Sequence, residues 1–177
     1  GYDQEEYILP DMVNGLSIQS LFDEYRSNRM STIIMFTNFT EEMLNAMDRA
    51  FEDFQKDDDL WVAIFTGAGE KSFCSGMDLK GFVSGETPYI EGRGFAGLTE
   101  YRAKKPIIAA VEGYALAGGM EMAISCDMII AAEDARFGIP EVKRGLAAGA
   151  GGLYRLPRQM PERVAMELAL TGDFISA

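Results

Sequence analysis

Met43, Leu44, Met47, Ala50, Phe51 and Phe54 recur three and four residues apart. That spacing gathers apolar side chains on one face of a helix. It predicts a helix from Thr40 to about Lys56, capped by Thr40, with Glu41 and Glu42 in the first turn where the dipole favours negative charge. Shorter apolar runs read as strands. Residues 31–37 (STIIMFT) are β-branched and aromatic, and 60–65 (LWVAIF) form a buried run. Residues 106–111 (PIIAAV) predict a buried strand that ends in a turn at Glu112-Gly113. A glycine pair, Gly118-Gly119, then opens a helix-like run over 120–126. A second apolar run covers 128–132 and leads to Gly138-Ile139-Pro140-Glu141, a strand-to-loop turn. Residues 149–152 form another glycine turn before a helix, and a helix over 161–171 stops at Gly172. The glycine-rich stretch 81–97 predicts an irregular loop, followed by a short helix that ends near Lys104-Lys105. Residues 16–25 fit a short helix or a strand equally.

The 109–152 stretch is where chemistry collects. A strand, a glycine turn and a helix start leave backbone N–H groups without partners, at a place where the dipole favours anions. Gly118 is thus a candidate donor to an oxygen that becomes negative during a reaction. Glu121 lies three residues on, and Glu141 comes directly after Pro140. Two carboxylates and an anion hole suit acid–base chemistry beside a carbonyl. Taken singly, a Gly-Gly turn is usually only a turn, and a lone Glu is more often a solvated acid. Residues 66–72 (TGAGEKS) hint at a phosphate loop, but the two glycine positions that pattern requires hold Glu70 and Phe65. An NTPase is rejected. Cys74 and Ser75 look like nucleophiles only in isolation, since no base stands near them in the motif.

Composition narrows the field. The chain has 177 residues, 47% of them apolar and 25% charged, which suits one soluble domain spanning 1–177. A net charge of −12 argues against nucleic acid and against an acidic membrane surface. No apolar run reaches the length of a membrane span, and the acidic N-terminus lacks a signal-peptide pattern, so a cytoplasmic protein is expected. The chain contains no histidine, which excludes Ser-His-Asp and Cys-His catalysis and histidine-ligated metals. Cys74 and Cys126 read as buried free thiols.

Five motifs resemble the crotonase superfamily, the enoyl-CoA hydratases and isomerases. They are TGAGEKSFCSGMDLK at 66–80, KPIIAAVEGYALAGGMEMAISCD at 105–127, ARFGIPEVKRGL at 135–146, GAGGLYRLPR at 149–158 and AMELALTGDFISA at 165–177. They stand in family order and spacing between Phe39 and Ala177. The segment over 94–100 (GFAGLTE) is similar to carnitinyl-CoA dehydratase-type members. The resemblance implies an α/β fold, a crotonase-like right-handed spiral of repeated ββα units. It also implies reversible hydration of a 2-enoyl-CoA thioester by Glu121 and Glu141, with the thioester oxygen between the N–H groups of Met77 and Gly118. Cys74, Ser75, Gly76, Asp78, Leu79, Ala117 and Pro140 would border the substrate. Phe82, Val83, Tyr89, Phe95 and Leu98 either line the acyl pocket or belong to an ordinary surface loop. No metal or redox cofactor is implied, because coenzyme A enters as part of the substrate. A homotrimer or dimer of trimers is implied as the assembly.

Two departures from the family pattern bear on this. The Asn-Arg-Pro-like turn that helps bind coenzyme A is missing from the atypical 1–38 segment, with Asn38 standing near its end. After Ile175-Ser176-Ala177 the family normally continues into C-terminal helices, which this chain lacks. The alternatives are carnitinyl-CoA-type dehydration, enoyl-CoA isomerisation, or a non-catalytic remnant that binds a partner.

Overall fold

The computed structural model describes residues 30–35, 41–69, 71–85 and 87–177. The readings at Thr40, Asn38, Glu70 and 16–25 lie outside them. The predicted first strand appears as β1 (Met30–Met35), and its last two predicted positions also lie outside the described residues. The helix predicted from the apolar face is α1 (Glu41–Lys56). Its buried stripe holds Met43, Leu44, Met47, Ala50, Phe51 and Phe54, the six positions marked by the spacing.

The strands alternate between two sheets. β2 (Val62–Gly67), β6 (Ile107–Val111) and β8 (Met128–Ala131) join β1 in one parallel sheet of order β1-β2-β6-β8. β3 (Ser72–Cys74), β7 (Tyr114–Leu116) and β9 (Arg136–Gly138) form a second sheet, in which β3 and β9 flank β7 in parallel. The final strand, β10 (Phe174–Ser176), adds antiparallel to β9. Each turn of chain therefore gives one strand to the first sheet, one to the second, and then a helical segment. These segments are α2 (Leu79–Val83) after β3, α3 (Gly118–Ala123) after β7, and a 3₁₀ turn (Pro140–Arg144) after β9. This is the repeated ββα arrangement. Parallel neighbours need such crossovers, because a tight hairpin cannot join them. Two further helices, α4 (Gly152–Gln159) and α5 (Glu162–Thr171), come next in the chain.

The core lies between α1 and the sheets. Phe51, Phe65 and Phe73 run through it, with ring centroids 5.7 Å apart for the first pair and 5.4 Å for the edge-on second pair. Inside the parallel sheet, the Thr66 hydroxyl donates to the Ala110 carbonyl at 2.9 Å, which satisfies a buried polar group.

Three segments differ from the sequence reading. The stretch 81–97 is partly regular: α2 runs into it, and β4 (Tyr89–Ile90) pairs antiparallel with β5 (Gly94–Phe95). The short helix expected before Pro106 is absent. Tight turns take its place, with Leu98 N–H donating to Phe95 O and Tyr101 N–H to Leu98 O. Ala96 sits there at φ 53°, and the Thr99 hydroxyl accepts the Phe95 N–H at 2.8 Å, a local bond that competes with helix. Finally, α3 begins at the glycine pair itself and stops at Ala123, short of Cys126. Cys126 is only partly buried, while Cys74 is fully so.

Candidate active site

Gly118 opens α3, so its N–H belongs to the group without intrahelical acceptors. Ala117 precedes it at φ 53°, ψ −127°, held by its own N–H to Gly138 O at 2.9 Å. A Cβ added at Gly118 would lie 2.4 Å from the Phe95 ring, and one at Gly119 would lie 2.1 Å from the Cys74 carbonyl oxygen. The glycine pair is therefore a requirement of close approach. It lets the start of α3 press against the 74–77 turn on one side and Phe95 on the other.

The 74–77 turn meets α3 directly. Gly76 has φ +97°, and a Cβ there would stand 3.3 Å from Gly118 N and 2.9 Å from the Ala117 methyl. Its N–H donates to the Cys74 sulfur at 3.3 Å. Met77 is next, partly buried. Among the described residues, neither Met77 N–H nor Gly118 N–H has an acceptor. Ser75 and Asp78 are exposed, and the Asp78 carbonyl accepts the Phe82 N–H as α2 begins at Leu79. Burial pushes the Cys74 thiol up to about 12, which makes it a poor nucleophile.

The two acids come from consecutive ββα units. Glu121, on α3, is 3% exposed, and its Oε1 accepts the Gly152 N–H at 2.8 Å. Burial raises its pKa, while the N–H groups of Gly152, Ala150 and Gly151 and the charge of Arg155 oppose that rise. Glu141 sits in the 3₁₀ turn that Pro140 starts. Burial, with the Glu121 charge adding to it, pushes Glu141 up to about 7, while its own backbone N–H pulls the other way. Its Oε2 is buried with no hydrogen-bond partner among the described residues. Tyr89 faces the same region: burial first, then the charges of Glu121, Glu100 and Glu141, raise its pKa. The Tyr89 ring meets Phe95 edge-on at 5.7 Å.

The structure thus brings the Gly76–Met77 turn to Gly118, and sets Glu121 within electrostatic reach of Glu141. The proposed acyl lining divides. Phe95 and Tyr89 stand at the site, Leu98 is in the core, and Phe82 and Val83 are exposed, Val83 to 87%. Sequence reasoning missed the 150–152 turn as the holder of Glu121. The signal was present, since a glycine turn at a helix start gathers free N–H groups there as it does at Gly118. No group of His, Cys, Asp and Glu among the described residues is placed to hold a metal, and none of their helices is long and apolar enough to cross a membrane.

Comparison with known proteins agrees with this architecture. A family profile for enoyl-CoA hydratase/isomerase matches residues 36–177. A carnitinyl-CoA dehydratase of Salmonella enteritidis PT4 (strain P125109) is 41% identical over 167 residues, 93% of this chain and 60% of the relative. The crystal structure of an enoyl-CoA hydratase from Mycobacterium marinum is 52% identical, with a TM-score of 0.79, covering 84% of this chain and 60% of that one. That of a carnitinyl-CoA hydratase from Mycobacterium avium is 44% identical, also with a TM-score of 0.79 and the same two coverages. The chain spans 60% of the length of these relatives. With the ββα spiral in place and the profile running over most of its residues, the chain belongs to the enoyl-CoA hydratase/isomerase family of the crotonase superfamily.

Proposed function

We propose that this chain carries the site for reversible addition of water to a 2-enoyl-CoA thioester. The observation that supports it most is Glu141 Oε2, a buried acceptor with no partner among the described residues, on a carboxyl electrostatically coupled to Glu121. A buried orphan acceptor is costly unless a ligand or water completes it. In this reading the thioester oxygen lies between the Met77 and Gly118 N–H groups. Charge grows on that oxygen as the enolate-like state forms, so those dipoles act mainly in the transition state. Glu121, steadied by the Gly152 N–H, takes a proton from water as it attacks C3. Glu141, poised at about 7, delivers the proton to C2. Cys74, Ser75, Gly76, Asp78, Leu79, Ala117 and Pro140 border the bound thioester in the same reading. No metal or redox cofactor is required, and coenzyme A arrives with the substrate. A homotrimer or dimer of trimers in the cytosol completes the reading, and two unpaired cysteines accord with that compartment.

Dehydration of a carnitinyl-CoA-type substrate would use the same pair of acids, and the likeness to a carnitinyl-CoA dehydratase at 41% identity and to a carnitinyl-CoA hydratase at 44% favours it as the second reading. Turnover of crotonyl-CoA and of carnitinyl-CoA, measured side by side, separates them. A protein that is folded but turns over neither overturns the hydro-lyase reading, and leaves isomerisation or a non-catalytic binding role.

A further inference from the structure

The two halves of the site hang on different parts of the chain, and Arg155 ties them together. On the acid side, the turn before α4 presents Gly152 N–H to Glu121. On the oxyanion side, Phe95 covers Gly118, and the Phe95 N–H is held by the hydroxyl of fully buried Thr99. Arg155 reaches both. Its Nη1 donates to the Ala150 carbonyl at 3.3 Å, and its Nη2 to the Thr99 carbonyl. Its own backbone N–H donates to Gly151 O at 2.9 Å, and its guanidinium stacks 4.8 Å from the Tyr154 ring centre. A planar fork with donors in fixed directions can span two carbonyls in this way, and an ammonium cannot reproduce it.

We propose that Arg155 is a positioning residue for the hydration reaction: its fork fixes the 150–152 turn against Glu121 and joins it to the Thr99–Phe95 segment. Its charge, second, favours the base form of Glu121. This rests on the hydratase reading of the site. The charges around Glu121 make the second part specific. Glu141 faces it from the 3₁₀ turn and Tyr89 from the β4–β5 hairpin, each an anion once ionised. Arg155, from α4, is the cation that acts on it in the opposite sense.

The test is the pH profile of crotonyl-CoA hydration in the full protein, alongside an infrared titration of the Glu121 carboxyl, with Glu121→Gln assigning the band. Arg155→Gln should move the acid limb and the Glu121 titration upward, with a loss of base at low pH. It should also lower kcat more than it raises KM. Arg155→Lys should keep the limb near its original place while still losing turnover, because the charge remains and the fork does not. A purely structural arginine would lower activity equally at every pH, with the Glu121 titration unmoved, and that result overturns the proposal. If Arg155→Gln does not fold, an Arg155→Lys variant with wild-type turnover and wild-type limb overturns it equally. A Glu121 titration that moves while the hydration profile stays in place would instead count against the hydratase reading.

Discussion

A carboxyl taken out of water holds its proton more tightly, and Glu141 is such a group. Its value stands at about 7 in the folded protein against 4.5 when free. Below about 4.5 the folded and unfolded chains both carry the proton. Between 4.5 and 7 the unfolded chain has released it while the folded chain keeps it, so folding stability falls as pH rises through that window. Chemical denaturation of the wild type should therefore show declining stability from pH 4.5 to 7 at this site. Glu141→Gln should flatten that slope, and an unchanged slope would mean the carboxyl is solvated. Catalysis should suffer in the opposite sense: Glu121→Gln and Glu141→Gln should each lower hydration by roughly 10²–10⁴-fold without loss of folding. The glycine at the helix start gives a separate test. Gly118→Ala keeps the N–H but places a methyl 2.4 Å from the Phe95 ring. Phe95→Leu in the same chain should recover part of the lost turnover, whereas Gly118→Pro removes the donor itself and should cost about 10²–10³ in kcat with no rescue. Glu121, Glu141 and Gly118 stood out as candidates in the sequence because each stands in a short motif. The Gly152 N–H on Glu121 and the Arg155 fork on Thr99 were not, because those bonds join residues 31 and 56 positions apart. No local spacing announces such a bond.

At the scale of elements, legibility tracks the length of the repeating signal. α1 shows its apolar period over four turns, and it was readable to within a residue or two. The 94–104 segment carries no period. Its path depends on Ala96 at positive φ and on the Thr99 hydroxyl, neither of which a propensity argument supplies. The contacts that hold the end of α1 were equally hidden. Lys105, far along the chain, sends its Nζ to the Phe54 carbonyl at 2.8 Å and to the Asp57 carbonyl, and passes over the Phe54 ring. A cation on the last carbonyls of a helix offsets both their missing partners and the negative end of the dipole. Gln55 works at the same place from the other side, its side-chain oxygen accepting the N–H groups of Lys104 and Lys105. Lys105→Met, which keeps the apolar stem, should destabilise the protein by about 1 kcal/mol in denaturant titration. No measurable loss would show that water replaces the ammonium without cost.

For the whole molecule, the surface raises the question of assembly. α4 and α5 leave Leu153, Tyr154, Val164, Met166 and Leu170 exposed, Leu170 to 68%. A second apolar strip lies on β8 at the sheet edge, where Ile130 is 60% exposed. Isolated exposed apolar residues are ordinary, but several on one pair of helices make a candidate contact surface. Opposing this is a net charge of −12, which makes identical copies repel. The balance depends on salt. Repulsion between exposed charges is screened beyond about 8 Å at physiological ionic strength. Burial of apolar area, about 25 cal/mol per Å², does not weaken with simple salt in the same way. Association should therefore strengthen as salt rises from low to physiological levels, towards a trimer or a multiple of it. Light scattering after gel filtration reads this directly. Met166→Glu with Leu170→Glu should shift the mass to a smaller species at every salt concentration, since each introduces a charge that would be stranded in a dry contact. A wild-type protein that stays a monodisperse monomer across the salt series would show that these helices meet solvent in the working molecule, and the trimeric assembly would have to be abandoned.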